Sequence, residues 1–74
     1  MERTMPDSVY NVVELVGTSK DSWESAARSA IERASETLRD LRIAEVIQQD
    51  LVIGDGKVEA YRTKLSVSFK HEGS

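Results

Sequence analysis

The chain contains no cysteine and a single histidine, His71, close to its C-terminal end. Disulfides are therefore excluded, and one imidazole without thiolates does not make a structural zinc site. Basic charge is also in short supply. Ten Lys and Arg against thirteen Asp and Glu leave a net charge of −3, which argues against nucleic acid or an anionic membrane as a partner. No apolar run approaches the roughly 20 residues needed to cross a bilayer, and the opening "MERTMPDS" lacks the apolar centre of a signal peptide. These absences describe a cytoplasmic protein. With no thiol, one terminal histidine and no Ser/His/Asp grouping, the chain also lacks the nucleophile and base that most enzymes need.

At 74 residues there is room for one small domain, and a domain of that size buries only about 60% of the surface its unfolded chain exposes. Disulfides and structural metals are the usual supplements; the first is excluded, and the residues for a structural zinc site are lacking. Association with other chains remains.

What is present falls into four segments. "VYNVVELV", Val9 to Val16, is rich in β-branched residues, with Val9, Val13 and Leu15 on one face and Tyr10, Val12 and Val16 on the other, so it reads as a strand that Gly17 ends. In "TSKDSWESAARSAIERASETLRDL" the residues Trp23, Ala26, Ala27, Ala30, Ile31, Ala34 and Leu38 recur at spacings of three and four. That pattern predicts an amphipathic helix of about five turns with a thin, alanine-rich stripe. "LRIAEVIQQDLVI" alternates, placing Leu41, Ile43, Ile47, Leu51 and Ile53 on one face of a long strand and Arg42, Gln48 and Asp50 on the other. "GDG" at Gly54 to Gly56 predicts a tight reversal. A final strand from Val58 to Lys70 then sets Tyr61, Leu65, Val67 and Phe69 against Arg62, Lys64, Ser66, Ser68 and Lys70. The expected class is α+β in the order β-α-β-β: one domain over 8–71, with tails at 1–7 and 72–74, and a three-stranded antiparallel-type sheet wrapped around one helix.

"GTS" at Gly17 to Ser19 raises the question of a phosphate loop. Such a loop needs several converging backbone N–H groups and a lysine, whereas here there is one glycine, and Asp21 and Glu24 would repel a phosphate. Thr18 or Ser19 is instead expected to cap the helix, with those acids beside the positive end of its dipole.

"VYNVVELVGTS" leading into an alanine-rich helix, then "IAEV" opening a long strand and "YRTKLSVSF" closing the chain, resembles the dodecin family from about Ser8 to Phe69. The resemblance implies twelve copies closed into a hollow homododecamer of cubic symmetry. Most such proteins bind flavins, FMN or riboflavin, in pairs at subunit interfaces, where a tryptophan stacks on each ring and a glutamine bonds its polar edge. Those positions correspond here to Ile43 in "RIAEV" and Arg62 in "YRT", with Glu45 a further pocket-equivalent residue. Both signature residues are thus absent, and the only tryptophan, Trp23, is spaced as a packing residue of the helix. Without the stacking partner flavin should bind weakly, while a fixed arginine charge suits a carboxylate or phosphate, so a related anionic ligand is the corresponding expectation. A minority of the family, including a calcium-binding type, carries a similar aliphatic and arginine pair with "SWE" and "VIxQD"; this chain has "SWE" at Ser22 to Glu24 and "VIQQD" at Val46 to Asp50. For calcium gathered at symmetry axes, Glu14, Glu45, Asp50 and Glu59 are the candidates, although their spacing is not that of an EF-hand.

Overall fold

The computed structural model describes residues 9–70; the tails expected at 1–7 and 72–74, together with Ser8 and His71, lie outside the described residues. Strand β1 runs Tyr10–Ser19, helix α1 Trp23–Ala34, strand β2 Leu41–Gly54 and strand β3 Lys57–Lys70. The sheet order is β1-β3-β2, with β3 antiparallel to both neighbours. The last strand in sequence is therefore the central one, and α1 carries the chain from one edge of the sheet to the other. The β-α-β-β order and the antiparallel sheet agree with the sequence reading.

Gly17 does not end β1. It lies inside the strand opposite Thr63, and a Cβ built there would stand 2.0 Å from the Ala26 carbonyl oxygen and 3.0 Å from the Ala30 Cβ. This glycine lets the helix backbone rest directly on the strand, and the alanines of α1 complete the close approach. The cap is displaced accordingly. Ser22 is the N-cap, its hydroxyl accepting from the Ser25 N–H at 2.9 Å, while Thr18 stays in the strand and the Ser19 hydroxyl accepts from the Asp21 N–H. The helix has twelve residues, about three turns in place of the expected five. It stops at Ala34, where the hydroxyls of Ser35 and Thr37 donate to the Glu32 and Ala34 carbonyls and the chain must reverse into β2 through Asp40 at φ 57°.

The core is thin. Ala26, Ala34, Ala60, Leu65 and Val67 are its buried apolar residues, with Thr63 buried among them and donating its hydroxyl to the Trp23 carbonyl at 2.9 Å. Helix α1 packs chiefly on β1 and β3 and least on β2. A twelve-residue helix spans about 18 Å, whereas fourteen-residue strands reach about 46 Å. The folded chain accordingly measures 55 × 25 × 14 Å. Trp23, at the start of the helix, sits over Asp50 and Thr63. The hairpin from 51 to 60 projects beyond it and turns at Asp55 and Gly56, whose φ values of 52° and 74° are those of a type I′ reversal. Among the described residues Val12, Val16, Ile43, Val46, Ile47, Leu51, Ile53 and Val58 are exposed apolar groups.

Strict alternation fails in β2. Register shifts between Leu41 and Ile43, and between Val46 and Gln48, insert Arg42 and Ile47 as extra residues. Each extra residue moves the following side chains to the opposite face. Leu41, Ala44, Val46, Gln49 and Leu51 consequently share the helix side with Phe69, Val67, Leu65, Thr63 and Tyr61, while Ile43 faces away with Glu45, Gln48 and Asp50. The single-face grouping of Leu41, Ile43 and Ile47 is thus corrected. In β3, which has no such shift over 61–69 of this register, the expected faces hold.

Candidate functional site

The face of the sheet turned away from α1 is built in rows across β1, β3 and β2. In order they are Thr18, Arg62 and Asp50; Val16, Lys64 and Gln48; Glu14, Ser66 and Glu45; and Val12, Ser68 and Ile43. Five of the six candidate residues, Ile43, Arg62, Glu45, Glu14 and Asp50, thereby fall on one surface. Glu59 does not. It lies between the paired positions Val58 and Ala60, near the hairpin turn, with its carboxylate against Gly54.

Sharing a face is not the same as sharing a pocket. Ile43 pairs with Ser68 and Asp50 with Arg62, so Ile43 and Arg62 stand six residues apart along β3, about 20 Å at the rise of a strand. Within one chain the two positions therefore do not line one compact pocket, and the recess beside Arg62 does not include Ile43. Ile43 is 66% exposed and meets no aromatic partner on its row. Similarly, Glu14 and Glu45 are separated by the whole width of β3, about 10 Å between backbones, and Lys64 lies 3.4 Å from the Glu14 carboxylate. Among the described residues no three Asp, Glu, His or Cys side chains converge as a metal set.

The best-defined element of this surface is the Asp50–Arg62 pair. Arg62 donates through Nε to Oδ1 at 2.8 Å and through Nη2 to Oδ2 at 2.7 Å, a parallel fork that fits the planar guanidinium to the carboxylate. Hydrogen bonding to Arg62 holds the Asp50 carboxyl below its ordinary range, with partial desolvation opposing and the charge of Arg62 adding; the same bond pushes Arg62 further up. Cross-strand register makes the pair possible, because residues directly opposite share a face. In the same register Lys64 faces Gln48, one row along from the pair. Val16, Gln48, Asp50, Arg62 and Lys64 line a shallow recess of about 150 Å³ here.

On the opposite side of the sheet Trp23 holds the backbone of the same aspartate. Its indole Nε1–H donates to the Asp50 carbonyl at 3.1 Å, and its ring meets Tyr61 edge-on at 5.2 Å and 77°. The packing role read from its helical spacing is what the structure has. Its polar contact was not legible, because Asp50 lies 27 residues away in sequence.

A family profile described as Dodecin matches residues 9–72. Calcium dodecin of Mycobacterium tuberculosis is 48% identical over 63 residues, 85% of this chain and 89% of that protein. Its crystal structure, described as having a novel calcium-binding site, superposes with a TM-score of 0.79 over 90% of this chain and 96% of the other. Dodecin of Thermus thermophilus is 44% identical over 64 residues, 86% of this chain and 93% of its own. The structure of dodecin from Streptomyces coelicolor is 43% identical with a TM-score of 0.88, covering 95% of this chain and all of that one.

Proposed function

The chain belongs to the dodecin family, and from that membership we propose a non-enzymatic cytoplasmic protein that closes into a hollow homododecamer and buffers a small ligand where its chains meet. The observation that carries this reading is the separation of about 20 Å between Ile43 and Arg62 on one strand. A compact pocket using both positions must take them from different chains. The uncovered apolar hairpin and the two open sheet edges supply a reason to associate, since unpaired strand edges and exposed apolar groups are stabilised when neighbours cover them.

Flavin fits this surface poorly. Ile43 offers apolar contact without a stacking ring, and the Arg62 fork is occupied by Asp50, so the flavin pocket is altered and its affinity for flavin weak. A bound flavin would supply redox chemistry of its own, and these residues would do no more than contact and orient it.

A second reading, calcium binding, is favoured by Glu14, Glu45 and Asp50 sharing the helix-free face and by the 48% identity to a calcium dodecin. Calcium takes about six to eight oxygen ligands. One chain presents its carboxylates singly, so a calcium site here would be assembled between chains, with Glu14 and Asp50 first released from Lys64 and Arg62. Glu59, remote from this surface, would serve only if a neighbouring chain reached the hairpin end.

Native mass spectrometry with side-by-side titration of riboflavin, FMN and calcium tests these statements. A twelve-chain assembly that binds riboflavin weakly is expected. A folded monomer or dimer at micromolar concentration would overturn the assembly, and tight riboflavin binding would overturn the altered pocket.

A further inference from the structure

We propose that Asp50 is a specificity-determining residue: by occupying the Arg62 fork it closes the helix-free face to phosphate-bearing ligands. The proposal rests on the reading of this face as the ligand surface and goes beyond it in assigning what the face rejects. The sequence alone suggests the opposite, because an arginine and a lysine two residues apart on one strand look like an anion site.

Four charged groups meet around the recess. Asp50 and Arg62 are joined in the bidentate pair, and Lys64 Nζ lies 3.4 Å from Glu14 Oε1. Two acids therefore cancel two bases. A phosphate approaching Arg62 finds Nε and Nη2 already engaged and a carboxylate beside them, so it must displace that carboxylate or accept its repulsion. Space is not the obstacle. The recess of about 150 Å³ would hold roughly five waters, and the side chains of Arg62 and Asp50 are 48% and 35% exposed.

The gate is anchored from behind. Trp23 fixes the Asp50 carbonyl at 3.1 Å from the helix side, and the Asp50–Arg62 register lies within the continuously paired run from Gln48 to Val52. The carboxylate is thus presented to Arg62 by backbone held by Trp23 from the helix side and by strand pairing within the sheet. Removing its charge alone would leave two bases facing one acid in an otherwise unchanged recess.

The test uses the assembled protein, with inorganic pyrophosphate as the probe in isothermal titration. Wild type should give no measurable binding. Asp50→Asn should bind at least about tenfold more tightly, from the freed fork and the lost repulsion, and the gain should fade in high salt. Asp50→Asn combined with Arg62→Gln should lose the gain. Asp50→Ser provides the same test if the asparagine variant does not assemble. Equal binding by wild type and Asp50→Asn, or a gain that survives without Arg62, would overturn the proposal. Failure of the wider ligand-surface reading is separately visible, since riboflavin and calcium titrations of the wild type do not depend on Asp50→Asn binding pyrophosphate.

Discussion

Gly17→Ala is the substitution that the fold should tolerate least. The added Cβ would stand 2.0 Å from the Ala26 oxygen and 2.9 Å from its carbonyl carbon. Ordinary contact begins near 3.4 Å, so helix and strand must separate by about 1.4 Å. Both obstacles are backbone, and neither can rotate aside. Overpacking typically costs about 1–3 kcal/mol, and with the Ala26 and Ala34 contacts loosened along a short helix the upper end applies, about 3 kcal/mol. The stiffer unfolded chain returns at most about 1 kcal/mol of this. For a domain of this size a net loss of about 2–3 kcal/mol lowers Tm by roughly 8–24 °C at fixed protein concentration. Gly54→Ala is the matched control. Its Cβ meets the carboxylate of Glu59, the end of a flexible side chain, so the change should stay within about 1 kcal/mol either way. Thermal melts followed by circular dichroism, with native mass spectrometry to fix the assembly state, make the comparison. If Gly17→Ala melts within a few degrees of wild type in the same assembly, the close helix-strand approach is not what positions α1.

Trp23→Phe keeps the ring against Tyr61 but leaves the Asp50 carbonyl without its donor; urea unfolding should show a loss of about 1 kcal/mol. The Asp50 carboxyl should titrate below an ordinary aspartate by NMR and return toward the usual range in Arg62→Gln. Because the folded-state value is depressed, the pair's stabilisation is present above the unfolded value, about 3.9, and is lost as pH falls through the lower folded one; an unshifted Asp50 would refute the pair in solution. Ile43→Trp with Arg62→Gln should bind riboflavin more tightly than either single change, because the ring surface and the paired donor and acceptor act on one ligand across a chain contact. Isothermal titration of the four variants decides it, and no gain in the double variant would place the pocket elsewhere.

Sequence by itself determined the element order, the hairpin turn and the faces of β3, because these follow from local patterns: β-branched runs, a helical stripe, and residues tolerant of positive φ at Asp55 and Gly56. The turn alone does not fix which residues face each other beyond it: counted back from Gly54 and Lys57, strict pairing would set Arg62 against Gln49, and the extra residue Glu59 on β3 brings it opposite Asp50 instead. Only the tertiary structure decided the role of Gly17, which reads as a terminator until a helix backbone is laid across it. The same holds for Ile43. A bulge is a choice of partner strand and leaves no periodic trace, so its move to the face of Glu45 and Asp50 appears only once β2 is paired with β3. Asp50 shows the limit most clearly: in the sequence it was one carboxylate among several, and register with Arg62 and a hydrogen bond from Trp23 made it the fixed point of both faces. Contacts between residues far apart in sequence are energies of the folded chain, and no local spacing encodes them.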